Sequence, residues 1–250
     1  MDLGIDSFGV IVTGASRGLG AAITMAMVAE GANVIAAARS TEALAALAAR
    51  APGRIEPVSC DMRDTEAVEA LVDVCRDRFD RVDAVVNNAG IAPAGRLVDT
   101  DLAVMEETLA VNVIAPAALS RSAAKYWIAS ETPGSIVNIA SLSGLKGKAL
   151  LSGYSASKGA VVRLTESLAV EWARYNIRVN TIAPGAFQTD AQAAVLDDPA
   201  ALEARLRKIP VRRMAEPYEI GPLATYLVSP LARFVTGSCF VIDGGELARL

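Results

Sequence analysis

FGVIVTGASRGLG, residues 8–20, sets the fold of this 250-residue chain. Phe8 to Thr13 is an apolar, β-branched run of a length suited to a buried strand. Gly14, Gly18 and Gly20 follow at once in a GxxxGxG spacing. The helical pattern from about Arg17 to Glu30 then closes at Gly31, a suitable C-cap. Strand, glycine turn and helix in this order form a phosphate-binding unit. The glycines let the backbone approach an anion, and the helix start offers free N–H groups and a positive dipole end. The spacing is not GxGxxG, and no Lys-Ser/Thr pair follows the last glycine, so it is not a P-loop either.

Outward from this unit, strand and helix patterns alternate along the chain. Asn33 to Ala38 reads as a second buried strand ending in Ala38-Arg39-Ser40. In a nucleotide-binding βαβ unit an acidic residue here would take the adenosine ribose hydroxyls, whereas an arginine accommodates a 2′-phosphate. With no acid present, Arg39-Ser40, together with Arg17 in the glycine loop, favours NADP(H), with NAD(H) as the alternative. Strand Ile55 to Cys60 ends at Asp61, whose carboxylate is placed to accept from the adenine amino group, and helix Thr65 to Phe79 follows. Strand Val82 to Val86 runs into Asn87-Asn88-Ala89-Gly90, at the sheet end where open α/β folds bind ligands. A helix from about Asp101 to Ala129 carries Asn112 inside the apolar LAVNVIAPA. A buried amide must find partners, so Asn112 is either a helix distortion that binds water or a structural plug.

Strand Ser135 to Ala140 leads to Ser141, then a loop, then helix Tyr154 to Tyr175, then strand Ile177 to Ala183 ending in Pro184-Gly185. Pro184 to Arg213 differs. It is long, holds Pro199 and Pro210, and has two short helical patterns, Thr189 to Leu196 and Pro199 to Ile209, which suits a lid over a cleft at about 186–213. Helix Glu216 to Leu227 and strand Cys239 to Ile242 complete the chain. The reading is α/β: one domain over 1–250, a parallel sheet covered by helices on both faces.

Hydrophobic residues make up 52% and charged residues 21%, with a net charge of -4, so the composition points away from disorder and from nucleic-acid binding. Asp2 and Asp6 stand where a signal peptide would be basic, and no uninterrupted apolar run reaches the ~20 residues of a membrane span. The expectation is a cytoplasmic protein without membrane partners. Cys60, Cys75 and Cys239 form no CxxC and are odd in number, which fits reduced thiols and no metal. Histidine is absent, which excludes a Ser-His-Asp triad and an HExxH zinc site, so acid–base work falls to Tyr, Lys, Asp or Glu.

Tyr154 and Lys158 are four residues apart, so on a helix they share one face near its start. A phenol loses its proton near pH ~10 and needs help to act at neutrality. A positive charge ~5 Å away, at an effective dielectric of ~20, favours the phenolate by roughly 3 kcal/mol, or about two pKa units. Lys158 is expected to supply that push.

Taken together, Thr13 to Gly20, Asp61, Asn87-Asn88-Ala89-Gly90, Asn112, Ser141, Tyr154-Ser-Ala-Ser-Lys158, Asn180 and Pro184-Gly185 closely resemble the short-chain dehydrogenase/reductase family over nearly the whole chain. The chain resembles 3-oxoacyl-[acyl-carrier-protein] reductase-like and gluconate dehydrogenase-like members of that family. The resemblance implies a single-domain Rossmann fold with a seven-stranded parallel sheet. It also implies hydride transfer between a nicotinamide and a carbonyl or secondary alcohol. On this likeness Tyr154 is the general acid or base. Lys158 lowers its pKa and holds the nicotinamide ribose, Ser141 bonds the substrate oxygen, and Asn112 holds a relay water. Gly14, Ser16, Arg17, Leu19, Asp61, Met62, Asn87, Ala89, Gly90, Pro184, Phe187 and Thr189 line the cofactor, with Gly18, Gly20 and Gly185 shaping its bed. Family likeness also implies a homotetramer built on helices near 101–129 and 155–175. Substrate identity is not legible. The candidate walls hold Lys146, Lys148, Arg205, Arg207, Lys208, Arg212 and Arg213, which either solvate the lid or meet an anionic substrate. Two other readings stand beside the first: an NAD-dependent sugar, polyol or steroid alcohol dehydrogenase, and a non-catalytic dinucleotide-binding regulator.

Overall fold

The computed structural model describes residues 2–249. Seven strands, β1 (Gly9–Thr13), β2 (Asn33–Ala38), β3 (Ile55–Ser59), β4 (Ala84–Asn87), β5 (Gly134–Ile139), β6 (Ile177–Pro184) and β7 (Cys239–Ile242), form one sheet in the order β3-β2-β1-β4-β5-β6-β7. Every neighbouring pair is parallel. The order reverses between β1 and β4, and the crevice beyond the carboxyl ends at that point is where such sheets bind ligands.

Alternation within the strands divides the core. Val10 and Val12 of β1 face the cluster that takes in α1 (Gly18–Ala29), α2 (Thr41–Ala48) and the late helix, whereas Ile11 faces the cluster on the other side. That other side packs against α3 (Thr65–Phe79), the long helix α4 (Leu102–Leu109) to α5 (Ala115–Ser130), and α6 (Ser152–Trp172). Leu102 to Ser130 is long and apolar enough to cross a membrane by length and composition alone. Its inner face, with Ala115, Leu119, Ala123 and Trp127, is nevertheless buried in this core.

The structure changes several expected boundaries. Helix α2 has no counterpart in the sequence reading; Ser40 caps it by accepting from Ala43 N at 3.3 Å. β4 starts at Ala84 rather than Val82, and the helix expected over 216–227 is a 3₁₀ turn, Pro217–Ile220, followed by α9 (Gly221–Val228). The segment 186–213, expected to act as a lid, has less regular helix than expected, with α7 limited to Ala193–Leu196 and α8 to Pro199–Leu206. Its two ends are tied together, since Ala215 N donates to Ala186 O at 2.9 Å and Gln188 N to Ala215 O at 2.8 Å. Ala186, Ile209 and Met214 form a small core of their own beneath Leu196, Leu202 and Leu206. The segment therefore packs as a unit on its own apolar base.

Candidate active site

Ser141 follows β5 by two residues, and Tyr154 and Lys158 lie in the first turns of α6. The Ser141 hydroxyl accepts from Ser143 N at 3.1 Å, which caps the turn Leu142–Gly144 and leaves its own hydrogen free to donate. That turn lies on the backbone of α6. A Cβ on Gly144 would stand 2.6 Å from both the Lys158 carbonyl carbon and oxygen, so only glycine allows the approach that brings Ser141 to Tyr154.

Lys158 is buried, and its Nζ donates to Ile139 O at 2.8 Å, 5.9 Å from the centre of the Tyr154 ring. Burial pushes its pKa down from 10.5 to about 8. Burial also pushes the Tyr154 phenol above its usual 10.0, and the neighbouring Ser141 hydroxyl pulls it part of the way back. The expected downward push from Lys158 is thus not the net effect of the protein's own groups. Desolvation penalises the charged form of each, and it outweighs their attraction across this distance.

Asn112 sits in a π-helical turn, Ala110–Ile114, between α4 and α5, so the helix is distorted where the sequence marked it. Both hydrogens and one lone pair of its amide are also used. Nδ2 donates to Ile91 O at 2.9 Å and to Ser157 Oγ at 3.0 Å, and Oδ1 accepts from Ile91 N at 2.9 Å. Both amide hydrogens are taken by protein, so the side chain acts as a plug tying the Gly90-Ile91 loop to α6.

Asn87, expected to line the cofactor, is tied into the core by its side chain. Its side chain turns into the core and donates to Asn138 Oδ1 at 2.8 Å and to Ser120 Oγ at 3.1 Å. Asn138 Nδ2 donates to Thr165 Oγ1 at 2.8 Å, which in turn meets Thr181 Oγ1 at 2.7 Å. This buried polar chain joins α5, β4, β5, α6 and β6 directly beneath the site. Sequence reasoning missed Asn138 and Thr165; an amide inside the apolar run Ile136-Val137-Asn138-Ile139 was the available signal. Asn180 is likewise structural, donating to Val235 O at 2.8 Å and accepting from Ser238 N at 3.2 Å.

The glycine loop is held by residues the site reading left out. Thr13 Oγ1 accepts from the Asn88 and Ala89 amides, each at 3.1 Å, and Asn88 Nδ2 donates to Thr13 O and Gly14 O at 3.0 and 3.2 Å. Gly14 has a φ of 65°, and a Cβ there would stand 2.8 Å from Ala89 Cα, so the backbone of the loop approaches that of Ala89 as closely as only glycine allows. The twelve-residue α1 begins at Gly18 with no side-chain cap and no acid in its first turn. The leading N–H groups of a helix lack intrahelical partners, and at this helix start Thr189 Cγ2 lies 3.5 Å from a Cβ built on Gly18. This cradle fits a dinucleotide pyrophosphate. Leu19, in the first turn of α1, packs against the same core cluster as the buried Phe187, and Met62 is buried in the cluster on the other side of the sheet. Gly185 closes on Asp243, and Pro184 ends β6.

At the other end of the bed stand Arg39 and Asp61, past the paired ends of β2 and β3. Asp61 is not free. Arg63 donates to it from its backbone at 3.0 Å, from Nε at 3.1 Å and from Nη2 at 2.5 Å, which holds the carboxyl down to about 2. Arg17 reaches Asp190 of the lid at 3.8 Å, both exposed. Ser40, expected near the phosphate, also caps α2 by accepting from Ala43 N, which leaves its own hydrogen free to donate. Among the described residues no cluster of three or more metal-binding side chains occurs, and Cys60 and Cys75 are buried free thiols with raised pKa values.

A family model described as enoyl-(acyl carrier protein) reductase matches residues 14–246. The chain is 37% identical over 241 residues to the 2,5-dichloro-2,5-cyclohexadiene-1,4-diol dehydrogenase of Sphingobium indicum, covering 96% of each protein. It is 34% identical to the 3-oxoacyl-[acyl-carrier-protein] reductase of Thermotoga maritima, covering 94% of this chain and 96% of that one. A solved structure of a proposed 2-deoxy-D-gluconate 3-dehydrogenase from Agrobacterium tumefaciens, with bound NADP, superposes at a TM-score of 0.91 with 35% identity over 99% of both chains. With its seven-stranded Rossmann sheet and these relatives, the chain belongs to the short-chain dehydrogenase/reductase family, nicotinamide-dependent oxidoreductases acting on CH–OH groups.

Proposed function

We propose that this protein moves hydride between NADPH, in preference to NADH, and a carbonyl or secondary alcohol, with Tyr154 as general acid or base. One observation carries the reading: a phenol and a hydroxyl converge beside a buried ammonium at the carboxyl end of β5, next to a glycine cradle for a dinucleotide. The nicotinamide supplies or accepts the hydride itself. As a carbonyl becomes an alkoxide, negative charge grows on its oxygen, and O–H donors from Ser141 and Tyr154 stabilise that charge more than the neutral carbonyl. Lys158 holds the nicotinamide ribose and keeps positive charge beside the phenol. Asn112 orients α6 through Ser157. Arg39 favours the 2′-phosphate, the segment 186–213 acts as a lid, and the working form is a cytoplasmic homotetramer acting on a small molecule, with no nucleic-acid or membrane partner.

The test is Tyr154→Phe, assayed by nicotinamide absorbance over a panel of ketones and alcohols. Turnover disappears while NADPH binding stays near normal; turnover within a few-fold of the parent sinks the assignment. Paired titrations check the cofactor, and equal or tighter NADH binding removes the Arg39 argument.

A further inference from the structure

The ends of β2 and β3 place one arginine and one carboxylate side by side. Ala38 pairs with Ser59 in register and Cys60 N donates to Ala38 O at 3.0 Å; Arg39 is the first residue past β2 and Asp61 the second past β3, near enough that the Arg39 charge adds to the lowering of the Asp61 pKa. Left to themselves, a cation and an anion at neighbouring strand ends would pair. They do not. Both Asp61 oxygens are held by Arg63, through the backbone N–H, Nε and Nη2. Arg63 is steadied from the far side by Glu107 of α4, 3.4 Å from Nη1. Arg39 is exposed and enters none of the ion pairs found among the described residues. Arg17, the other cation near this end, faces Asp190.

We propose that Arg63 is a positioning residue for cofactor choice: by clamping Asp61 it keeps that carboxylate off Arg39, so Arg39 remains free for a 2′-phosphate. The inference rests on the NADPH reading above and adds a residue to it. A guanidinium suits the task because its planar fork engages both carboxylate oxygens at once, which a lysine cannot do. Without Arg63 the freed Asp61 would do two things against a 2′-phosphate. It would neutralise Arg39, and it would put an uncompensated negative charge at the adenosine end. Neither effect touches NADH, which has no phosphate there.

The experiment is a set of fluorescence titrations of NADPH and NADH against the full-length parent, Arg63→Ala, Asp61→Asn and the double variant, with folding checked by circular dichroism. The parent binds NADPH more tightly. Arg63→Ala weakens NADPH about tenfold while NADH changes by less than about twofold. Adding Asp61→Asn to Arg63→Ala restores the NADPH-to-NADH ratio toward the parent value, because the charge that Arg63 masks is then gone. An equal loss for both cofactors in Arg63→Ala, or a double variant whose ratio stays low, overturns the role of Arg63 while leaving the NADPH reading intact. A parent that binds NADH as tightly as NADPH overturns both.

Discussion

Replacing Lys158 by Met isolates the energetic burden of a buried ammonium. The folded pKa is about 8 against an ordinary 10.5. At about 1.36 kcal/mol per unit, that gap corresponds to roughly 3 kcal/mol. The sign follows from proton counting. Between these two values the unfolded chain binds more protons than the folded one at this site, so stability rises with pH across the window. The full penalty is present below pH 8 and is gone above 10.5. Methionine abolishes the titration but also leaves the Ile139 carbonyl without its donor, a loss of about 1–3 kcal/mol that does not depend on pH. The informative quantity is therefore the parent-minus-variant difference in unfolding free energy, measured by urea denaturation at fixed protomer concentration from pH 7 upward. It should increase by about 3 kcal/mol by pH ~10.5. Groups elsewhere titrate alike in both proteins and cancel. A difference that stays flat within about 0.5 kcal/mol would refute the claim that Lys158 is desolvated and charged in the fold.

Three other outcomes are expected. Asn138→Ala takes one buried partner from Asn87 Nδ2, which keeps Ser120 Oγ, and one from Thr165 Oγ1, which keeps Val161 O and Thr181 Oγ1, so urea unfolding should show a loss of about 2 kcal/mol, and a loss below about 0.5 kcal/mol would mean the polar chain is not a structural tie. Gly144→Ala forces the Ser141 turn off α6; kcat should fall at least about tenfold with NADPH binding unchanged, and an unaltered kcat would show that the close approach does not position Ser141. In Tyr154→Phe the Lys158 pKa should stay near about 8, because burial is its cause and the ring remains; a shift of a full unit by NMR would show that the hydroxyl sets it instead.

Much of the fold could be read from local pattern because the punctuation is local. β2, α3 and β7 fall where the sequence puts them, each an apolar or periodic run bounded by its own stop signal, such as the Asp64 cap that accepts from Glu66 N and Ala67 N. Helix α2 escaped because Thr41-Glu-Ala-Leu-Ala-Ala-Leu-Ala48 is almost uniformly small and apolar, and its cap, Ser40, had been assigned to a phosphate. Within the site, the types of chemistry were legible but their hydrogen-bond partners were not. Asn87, Asn112 and Asn138 each announce a buried amide that must be satisfied. The groups that satisfy them are 21 to 51 residues away along the chain, brought together only by the sheet order. Asp61 fails differently. Its partner Arg63 is two residues away, and a two-residue spacing past a strand end has no fixed geometry from which to infer a clamp.

Lys158 shows why such a site persists against stability. A buried lysine with one carbonyl partner is a local defect by the usual rules, since burying a cation without a counter-charge disfavours the fold. The carbonyl it holds, Ile139 O, lies two residues before Ser141, and its own helix carries Tyr154. One ammonium therefore ties the end of β5 to the start of α6, the two elements whose relative position decides whether a hydroxyl and a phenol reach the same oxygen. A methionine could fill the volume but not make that tie. Local rules are broken here because positioning and positive charge are needed at one point, and only a lysine of this reach supplies both.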